Sequence, residues 1–290
     1  MNHEQLLHFP VMVNEVVAFL EPKNKKLYLD CTFGQGGYSK KILESAKCNV
    51  FAIDRDIKSK KYADNFRDTF KTRFVFYNNK FSELYSLIKK QKIKAFDGIV
   101  LDLGISNTQL NDPKRGFSFT NNGPLDMRMN NVKDKLTAEI IINEFEEKEL
   151  SDIFFYYGEE RNSRRIAKSI IEFRKKKKID STMLLSQIIQ KINNNKFKHP
   201  ATRVFQALRI FINEELNELE NILKISPQIL NKNSKIIIVA FHSLEDRIIK
   251  NFFKNNYFRI ITKKPITPSE NEIKNNPRSR SAKLRVAERI

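Results

Sequence analysis

Glycines and aspartates near the start of this chain have the types and spacing that suggest ligand chemistry. The stretch LYLDCTFGQGGYSKKIL (27–43) has the pattern of a buried strand, followed at once by Gly34, Gly36 and Gly37 and then by a helix. Glycines at such a turn let bare backbone approach a ligand. Asp54 lies twenty residues after Gly34, at the end of the next predicted strand, where a carboxylate can accept hydrogen bonds from ribose hydroxyls. This spacing indicates a nucleoside-containing cofactor.

The spacing of the glycines narrows the choice of cofactor. The motif FGQGG lacks the third glycine of G-x-G-x-x-G, which disfavours a nicotinamide dinucleotide. S-adenosylmethionine has no phosphate, needs the same ribose contact and can lay its methionine part against the glycine turn. Asp30 is then predicted to meet its ammonium group. The remaining interpretation is a tight strand-to-helix turn that holds no ligand.

A third aspartate follows another apolar run. In FDGIVLDLGIS the run ends at Asp102, and the carboxyl ends of strands in α/β folds are where ligands bind. A carboxylate there can orient or deprotonate a nucleophile. An Asx turn or a helix cap is the alternative for this residue.

Apolar runs separated by helical patterns are the elements that must position these side chains. Near-continuous apolar segments without strict alternation are typical of buried parallel strands. Such segments are KLYLDC (26–31), NVFAID (49–54), FDGIVLDL (96–103) and KIIIVAF (235–241), with a weaker one at RFVFYNN (73–79) and a final strand at KLRVAER (283–289). Strands and helices alternate, which predicts a doubly wound α/β sheet.

The regular alternation stops in the middle of the chain. From about residue 110 to 200 the patterns are helical, and Ser181 is a predicted N-cap. Residues 201–226 predict one long helix that leads into the strand at 235. The sequence therefore predicts an α/β domain formed by 1–109 and 201–290, with a helical subdomain inserted at 110–200.

Composition limits the class of protein. With 53 Lys plus Arg against 34 Asp plus Glu, the net charge of +19 favours a polyanionic partner, nucleic acid above all, although a lysine-coated surface is the alternative. Two cysteines and four histidines without ligand-like spacing predict neither disulfides nor a metal site. The start lacks signal-peptide features and no apolar run reaches the length of about 20 residues that spans a membrane. A soluble cytoplasmic protein with no membrane contact is expected, as monomer or homodimer.

An ordered series of motifs carries a family resemblance. The chain closely resembles the S-adenosylmethionine-dependent methyltransferases that modify N4 of a cytosine in the decoding region of bacterial small-subunit (16S) ribosomal RNA. The matches run from about His8 to the C-terminus and include LDCTFGQGG, AIDRD, FDGIVLDLGIS, RGFSF, GPLDMRM, YGEER, HPATRVFQALRIFIN, FHSLEDRIIK and RSRSAKLRVAE. The resemblance implies a Rossmann-like class I methyltransferase sheet with an inserted helical subdomain.

The resemblance also implies cofactor contacts. They fall on Gly36, Gly37, Tyr38, Asp54, Phe81, Asp102 and Gln109. The glycine turn, Gly34 included, would receive the methionine part, Asp54 the ribose and Phe81 the adenine, while Asp102 and Gln109 would lie where the sulfonium meets the target base. The chain departs from the family pattern at Tyr38, where histidine is usual, and at Asn107-Thr108, where serine and proline are common.

For the RNA substrate, the expected contacts are loops and basic clusters. Arg115 is predicted to meet phosphate, and Phe117 or Phe119 to stack on a base. His242 is a second pocket candidate, with a structural alternative in which Ser243 and Asp246 cap the following helix. Basic residues expected along the RNA backbone are Arg161, Arg164, Arg165, Lys168, the run Lys175–Lys178, Arg278, Arg280, Lys283 and Arg285.

Asp102 is the predicted catalytic residue. It would accept hydrogen bonds from the exocyclic amine, whose lone pair is delocalised into the ring, and so direct that lone pair toward the methyl group. Three alternatives stay open at this stage: a nicotinamide oxidoreductase, a DNA amino-methyltransferase, and a non-catalytic ribosome assembly factor that keeps a methyltransferase fold.

Overall fold

A computed structural model describes residues 10–193 and 199–290, apart from the side chain of Asn107. His3 and His8 lie outside these residues. The chain forms two compact units. The first, called the α/β unit below, comprises the chain up to Gly104 together with Leu216–Ile290. The second, called the helical unit, comprises Ile105–Glu215. The predicted insertion at 110–200 is shorter than this helical unit at both ends.

The α/β unit is built on one seven-stranded sheet with the order β3-β2-β1-β4-β5-β7-β6. Its strands in chain order are β1 (Leu27–Asp30), β2 (Asn49–Ile53), β3 (Phe74–Tyr77), β4 (Phe96–Asp102), β5 (Leu230–Ala240), β6 (Phe258–Ile260) and β7 (Lys283–Arg289). The first five pair in parallel, whereas β7 is antiparallel to both β5 and β6. The predicted parallel strands are therefore confirmed, and β5 begins five residues earlier than expected.

Helices separate the strands and form most of the helical unit. In chain order they are α1 (Val13–Leu20), α2 (Gly37–Ser45), α3 (Ser59–Phe70), α4 (Leu84–Lys90), α5 (Asn107–Asn111), α6 (Ala138–Glu144), α7 (Glu147–Gly158), α8 (Ser163–Arg174), α9 (Thr182–Gln190), α10 (Thr202–Ile212), α11 (Glu215–Ile229), α12 (Ser243–Phe252) and α13 (Glu270–Asn275). Ser181 precedes α9 as predicted but makes no side-chain capping hydrogen bond. In the described residues, no helix has the length and apolar character needed to cross a bilayer.

Alternate residues of the strands enter two cores, as expected for a sheet covered on both faces. On one face Tyr28 and Val100 pack with residues of α1, α2 and α3. On the other, Leu29 and Ile99 pack with residues of α4, α11 and α12. The doubly wound arrangement leaves the carboxyl ends of β1, β2 and β4 as the edge where functional side chains collect.

The prediction of one long helix over 201–226 is wrong. The helix is interrupted after Ile212, and Glu214 adopts a left-handed backbone conformation with φ of 51°. Asn213, which is fully buried, donates to the carbonyls of Arg209 and Met127 and accepts from the amide of Met129. The side chain therefore ends α10 and holds the loop that contains GPLDMRM inside the helical unit.

Candidate functional site

The three aspartates singled out by the sequence lie at one edge of the sheet. Asp30 ends β1, Asp54 follows β2 and Asp102 ends β4, and β1 pairs with both β2 and β4. The backbone amide of Asp102 donates to the Thr32 hydroxyl at 2.7 Å, which links the end of β4 to the turn after β1. The carboxyl ends of three adjacent parallel strands thus form one candidate site.

The glycine turn is shaped by packing as well as by its exposed backbone. Gly36 has a φ of 85°, and a Cβ there would lie 2.3 Å from the Phe66 ring. A side chain at Gly37 would collide with Pro10. Gly34, with a φ of 54°, faces open space apart from the Thr32 carbonyl at 3.9 Å. The bare Cα that a ligand can approach is therefore that of Gly34. The Gly36 amide donates to the Phe33 carbonyl at 2.6 Å, and Gly37 begins α2 with its own backbone amide.

The first turn of α2 offers such amides. Gly36 is its N-cap residue and has no side chain with which to cap the helix. Free N–H groups at a helix N-terminus, together with the helix dipole, form a favourable site for an anion. A carboxylate of a ligand would be stabilised here.

Asp54 anchors the glycine turn. Its Oδ2 accepts from the amide of Gly34 at 2.6 Å, and its Oδ1 accepts from the amide of Asp56 at 2.7 Å. Burial raises the pKa of this carboxyl to about 6, partly offset by hydrogen bonds from Asp56, Gly34 and Ser59. A carboxylate has about four acceptor positions, so each oxygen keeps capacity for a further donor such as a ribose hydroxyl.

Asp30 cannot make the contact predicted for it. It is fully buried; Oδ1 accepts from the Thr32 amide at 3.1 Å, and Oδ2 accepts from the Ser39 hydroxyl at 2.7 Å. Burial raises its pKa to about 6. The predicted direct contact with a ligand ammonium group is contradicted by this burial, because the carboxylate is used to join β1 to α2. It can act on a ligand only through its charge.

Asp102 has the most strongly raised pKa of the three carboxyls. Its Oδ1 accepts from the Gly104 amide at 3.1 Å, and within the described residues its Oδ2 has no hydrogen-bond partner. Burial raises the pKa to about 7, and the charges of Asp30, Glu245 and Glu272 contribute to the increase. The side chain is half-buried, which leaves Oδ2 within reach of a ligand. With this pKa the carboxyl gains or loses its proton near neutral pH.

Tyr38, which replaces the histidine usual at this position, uses its hydroxyl inside the protein. The side chain is 4% exposed, and the hydroxyl donates to the Val11 carbonyl at 2.6 Å. Its predicted role as a cofactor contact can therefore involve only its backbone amide in the first turn of α2. The side chain instead holds the segment before α1 against the glycine turn.

Phe81 and Gln109 belong to different units. Phe81 begins a single 3-10 turn after β3 and is half-buried against the core of the α/β unit. Gln109 lies in the helical unit, where its Oε1 accepts from the Ser106 amide at 3.0 Å in a capping box of α5. Their contacts with a cofactor stay predictions.

The RGFSF loop has a structural role in the helical unit. Arg115 is 5% exposed, and its guanidinium donates to the carbonyls of Arg128 and Met129 at 3.0 Å each. Phe117 is 5% exposed in the helical core. Both predicted RNA contacts are contradicted by this burial. Phe119 is stacked on the His199 ring, with centroids 4.3 Å apart.

The basic clusters differ in how far their side chains are available. Arg161, Arg164, Arg165 and Lys168 are exposed, although Arg161 precedes α8 rather than lying within it. Lys175–Lys178, Arg278 and Arg280 are exposed as well. Arg285 is not: it is 7% exposed and its Nε donates to Asp246 at 2.6 Å, which contradicts the predicted RNA contact.

The start of α12 differs from the capping scheme considered above. The N-cap is His242, whose Nδ1 accepts from the Glu245 amide at 3.3 Å, and Glu245 accepts from the amides of Phe241 and His242. Ser243 and Asp246 are therefore not the capping pair; Asp246 instead binds Arg285 and Lys283 of β7.

Sequence reasoning missed four residues that support the site. Thr32 and Ser39 hold Asp102 and Asp30, Glu245 closes the α12 capping box, and Glu272 accepts from the Met12 amide at 2.8 Å. Thr32 and Ser39 stand in the same run as the glycines, so their hydroxyls were a detectable signal. The contact of Glu272 joins residues 260 positions apart, and no local pattern indicates it.

Comparison with known proteins agrees with this geometry. Residues 5–290 match the MraW methylase family. The chain is 48% identical to ribosomal RNA small subunit methyltransferase H of Rickettsia akari, over 98% of each chain, and 44% identical to the protein of that name from Ehrlichia canis, over 98% of this chain and 100% of the other. A solved rRNA methylase from Streptococcus thermophilus aligns over 99% of each chain with a TM-score of 0.46 and 8% identity, a likeness too distant to bear on function.

The family match spans both units, and the seven-stranded sheet confirms the predicted Rossmann-like class I methyltransferase fold. An edge with a glycine turn, a free helix N-terminus and three carboxyls is what such a fold needs to bind a methyl donor. Relatives at close to half identity over nearly the full chain support the same assignment. The chain belongs to the MraW methylase family.

Proposed function

We propose that this protein transfers the methyl group of S-adenosylmethionine to N4 of a cytosine in the decoding region of 16S ribosomal RNA, acting on the small ribosomal subunit in the cytoplasm. Methylation of small-subunit ribosomal RNA with S-adenosylmethionine is the activity that family membership and the curated relatives support. The finer assignment to N4 of cytosine rests on the resemblance and on one observation, the half-buried Asp102 with a free acceptor oxygen at the end of β4.

The residues present fit S-adenosylmethionine. The open backbone at Gly34 and the free amides of α2 suit its methionine carboxylate, and Asp54 suits its ribose hydroxyls. Asp30 and Asp102 place negative charge at the same edge, which stabilises a ligand that carries a sulfonium and an ammonium group. When bound, S-adenosylmethionine supplies an electrophilic methyl group.

Orientation of the base is the main task left to the protein. The exocyclic amine of cytosine is a weak nucleophile because its lone pair is delocalised, so it must be held with that lone pair directed at the methyl carbon. Asp102 Oδ2 can accept one amine hydrogen and favour a more pyramidal nitrogen.

The same carboxylate can remove the proton. Formation of the new N–C bond leaves an extra proton on nitrogen, and a general base works best when its pKa lies near the operating pH. Burial raises the pKa of Asp102 to about 7, which meets this requirement. Asp102 is therefore both the orienting acceptor and the proton acceptor in this proposal.

Exposed arginines of the helical unit are the proposed contacts for the RNA backbone. Arg164 and Arg165 lie in the first turn of α8 with exposed side chains, next to Arg161. Contacts of this kind position a nucleic acid without reading its sequence. Arg278 and Arg280 of the α/β unit are proposed to act in the same way.

The proposal is tested by methyl transfer from radiolabelled S-adenosylmethionine to purified small subunits, naked 16S ribosomal RNA and DNA, with mapping of the modified nucleotide. The expected result is label on N4 of a decoding-region cytosine of the ribosomal substrate. Label on DNA instead would support a DNA amino-methyltransferase, and cofactor binding without transfer to any substrate would support a non-catalytic assembly factor. Asp102→Ala, with cofactor saturating, is expected to abolish transfer without abolishing cofactor binding.

A further inference from the structure

His242 is an unusual residue for the place it occupies. Helix N-caps are ordinarily Ser, Thr, Asp or Asn, whose short side chains accept a hydrogen bond from the third amide of the helix. Here an imidazole does this, with Nδ1 accepting from the Glu245 amide at 3.3 Å. Capping α12 requires one acceptor atom and no ring. The cap therefore does not explain the presence of the second ring nitrogen, Nε2.

The capping bond fixes the tautomer of the ring. A neutral imidazole carries one N–H and one acceptor nitrogen, and Nδ1 is the acceptor here, so Nε2 carries the hydrogen. The side chain is 8% exposed, and Nε2 lies 3.0 Å from Glu245 Oε1. That contact is outside hydrogen-bond geometry, and Nε2 has no hydrogen-bond partner among the described residues.

A buried donor without an acceptor is uncommon and costs free energy in the free protein. The cost is recovered if a ligand brings the acceptor. Nothing in the capping of α12 would be lost if an asparagine stood at this position, because asparagine is among the best N-cap residues. The imidazole therefore keeps on Nε2 a donor that makes no hydrogen bond within the described residues and that a ligand acceptor can satisfy.

The neighbourhood of His242 identifies the kind of partner. Asp102 pairs with Val239 of β5, three residues before His242, and the Leu103 amide donates to the Val239 carbonyl. Next to His242, the Phe241 ring lies against Gly104, where a Cβ would be 2.8 Å from it. The carboxyl ends of adjacent strands β4 and β5 thus bring the acceptor of Asp102 and the donor of His242 to one edge of the α/β unit.

We propose that His242 recognises the target base, with its Nε2–H donating to the ring N3 of cytosine while Asp102 accepts from the neighbouring N4 amine. This inference rests on the proposed function and adds a residue that reads the base. Enzymes that act on an unstacked base recognise it by hydrogen bonds to its Watson–Crick edge. Cytosine presents a donor next to an acceptor on that edge, whereas uracil presents the reverse, so the pair formed by Asp102 and His242 selects cytosine.

The contact orients the base rather than activating it. A hydrogen bond to N3 does not free the lone pair of the amine, so its benefit is to fix the ring relative to Asp102. Because Nε2 is covered in the free protein, the base reaches it only when the covering groups shift, and the donor is then satisfied. Ion pairs of Asp246 with Arg285 and Lys283 hold the start of α12 to β7 during this change.

Two variants separate the capping role from the recognition role. His242→Asn keeps an acceptor for the Glu245 amide and removes Nε2–H, whereas His242→Ala removes both. We expect H242N to have a Tm no lower than that of the wild type and the wild-type Kd for S-adenosylmethionine, and to lower kcat on saturating small subunits roughly 10- to 100-fold. H242A should show the same loss of kcat with a lower Tm. Wild-type kcat in H242N would overturn the inference and leave the imidazole as a cap alone.

A base analogue tests the partner atom directly and does not depend on how H242N folds. Small subunits are reconstituted with RNA that carries 3-deazacytidine, in which C–H replaces N3, at the mapped target. The wild type should lose about as much kcat on this substrate as H242N loses on cytosine, and H242N should lose little more, because the two changes remove one hydrogen bond. If the loss of kcat from H242N and the loss from 3-deazacytidine multiplied when the two were combined, the assignment to N3 would be overturned.

The two proposals fail in different ways. Wild-type transfer to the mapped cytosine is measured in every series and reports on the proposed function. If the wild type methylates no cytosine, the proposed function is wrong, and this inference, which depends on it, is wrong as well. If the wild type methylates cytosine and the variants or the analogue behave independently of His242, the inference alone fails.

Discussion

Two regions carry motifs from which the sequence predicts ligand contacts, the turn after β1 and the loop from Arg115 to Asn130. Beside the turn, Asp54 accepts from the amides of Gly34 and Asp56 and Asp102 accepts from the Gly104 amide, which leaves acceptor capacity on both carboxylates. In the loop, Arg115 donates to backbone carbonyls, and Arg128 binds the Asp126 carboxylate and the Asp134 carbonyl. The difference teaches that a polar motif marks a functional site only where the chain itself leaves its groups unsatisfied.

The largest effect should come from the turn. Asp54→Ala removes the proposed ribose acceptor and the anchor of the Gly34 amide, and we expect the Kd for S-adenosylmethionine to rise roughly 100-fold. Isothermal titration calorimetry measures it. Asp64→Ala is the matched control, because Asp64 is an exposed aspartate paired with Arg67. A Kd for D54A within a few-fold of that for D64A would remove Asp54 from the cofactor site.

In the loop, the effect should fall on stability. Arg115→Ala leaves the carbonyls of Arg128 and Met129 without their charged donor, and we expect the free energy of unfolding to fall by about 2 kcal/mol, measured by urea denaturation. The salt dependence of RNA binding should not change. Lys114→Ala, at an exposed neighbour, is the control. An unchanged unfolding midpoint together with a flatter salt dependence would return Arg115 to the RNA interface.

The pH dependence of ligand binding sharpens the comparison further. Burial raises the pKa of Asp102 to about 7, so the neutral acid prevails below that pH and the carboxylate above it. A cationic ligand favours the carboxylate, and we expect the affinity for S-adenosylmethionine to rise roughly tenfold between about pH 6 and pH 8. S-adenosylhomocysteine lacks the sulfonium charge and should show a smaller rise. Asp102→Asn should remove this part of the pH dependence. If the affinity of D102N varied with pH as that of the wild type does, a group other than Asp102 would be responsible.

The same shift acts on folding with a defined sign. Because the folded protein holds the Asp102 proton at pH values where the unfolded chain has released it, the free energy of unfolding should fall as pH rises from the unfolded pKa toward 7. D102N keeps an oxygen for the Gly104 amide and carries no charge. It should therefore be more stable than the wild type above pH 7, and a lower Tm for D102N at pH 8 would contradict this.

The smallest effect is expected on the exposed surface of the helical unit. Replacement of both Arg164 and Arg165 by Ala should weaken RNA binding about tenfold at physiological salt and lower the slope of log Kd against log salt by about 1.5. Lys175→Ala with Lys176→Ala is the matched control, since those exposed lysines follow α8 in a run without a common face. Equal losses in both double variants would mean that charge alone, and not this cluster, attracts the RNA.

Much of the α/β unit was predictable because its signals are local. The apolar runs at β1, β2, β4 and β5 end at chemistry-bearing residues, and parallel strands bring those ends together. The predicted site residues Asp54 and Asp102 follow from the same pattern. The three-residue strand β6 was missed, since so short a run is indistinguishable from a loop.

The failures share a physical cause. Arg115 is bound by carbonyls of Arg128 and Met129, and the break after α10 depends on Asn213 binding Met127 and Met129. No glycine or proline lies near Asn213, so the local sequence contains no residue type that predicts the end of α10. Partners that lie far along the chain decide whether a polar side chain is structural, and pattern reasoning has no access to them.

The place of β7 in the sheet has a consequence for synthesis. Of the described strands β7 comes last along the chain, yet it lies between β5 and β6 and pairs with both. While the ribosome is still translating, β5 therefore exposes an apolar edge that no earlier strand covers, and unpaired edges of this kind favour aggregation. A nascent chain of this protein is expected to recruit chaperones until residues 283–289 emerge, and only then can the sheet close beside the strand end that carries His242.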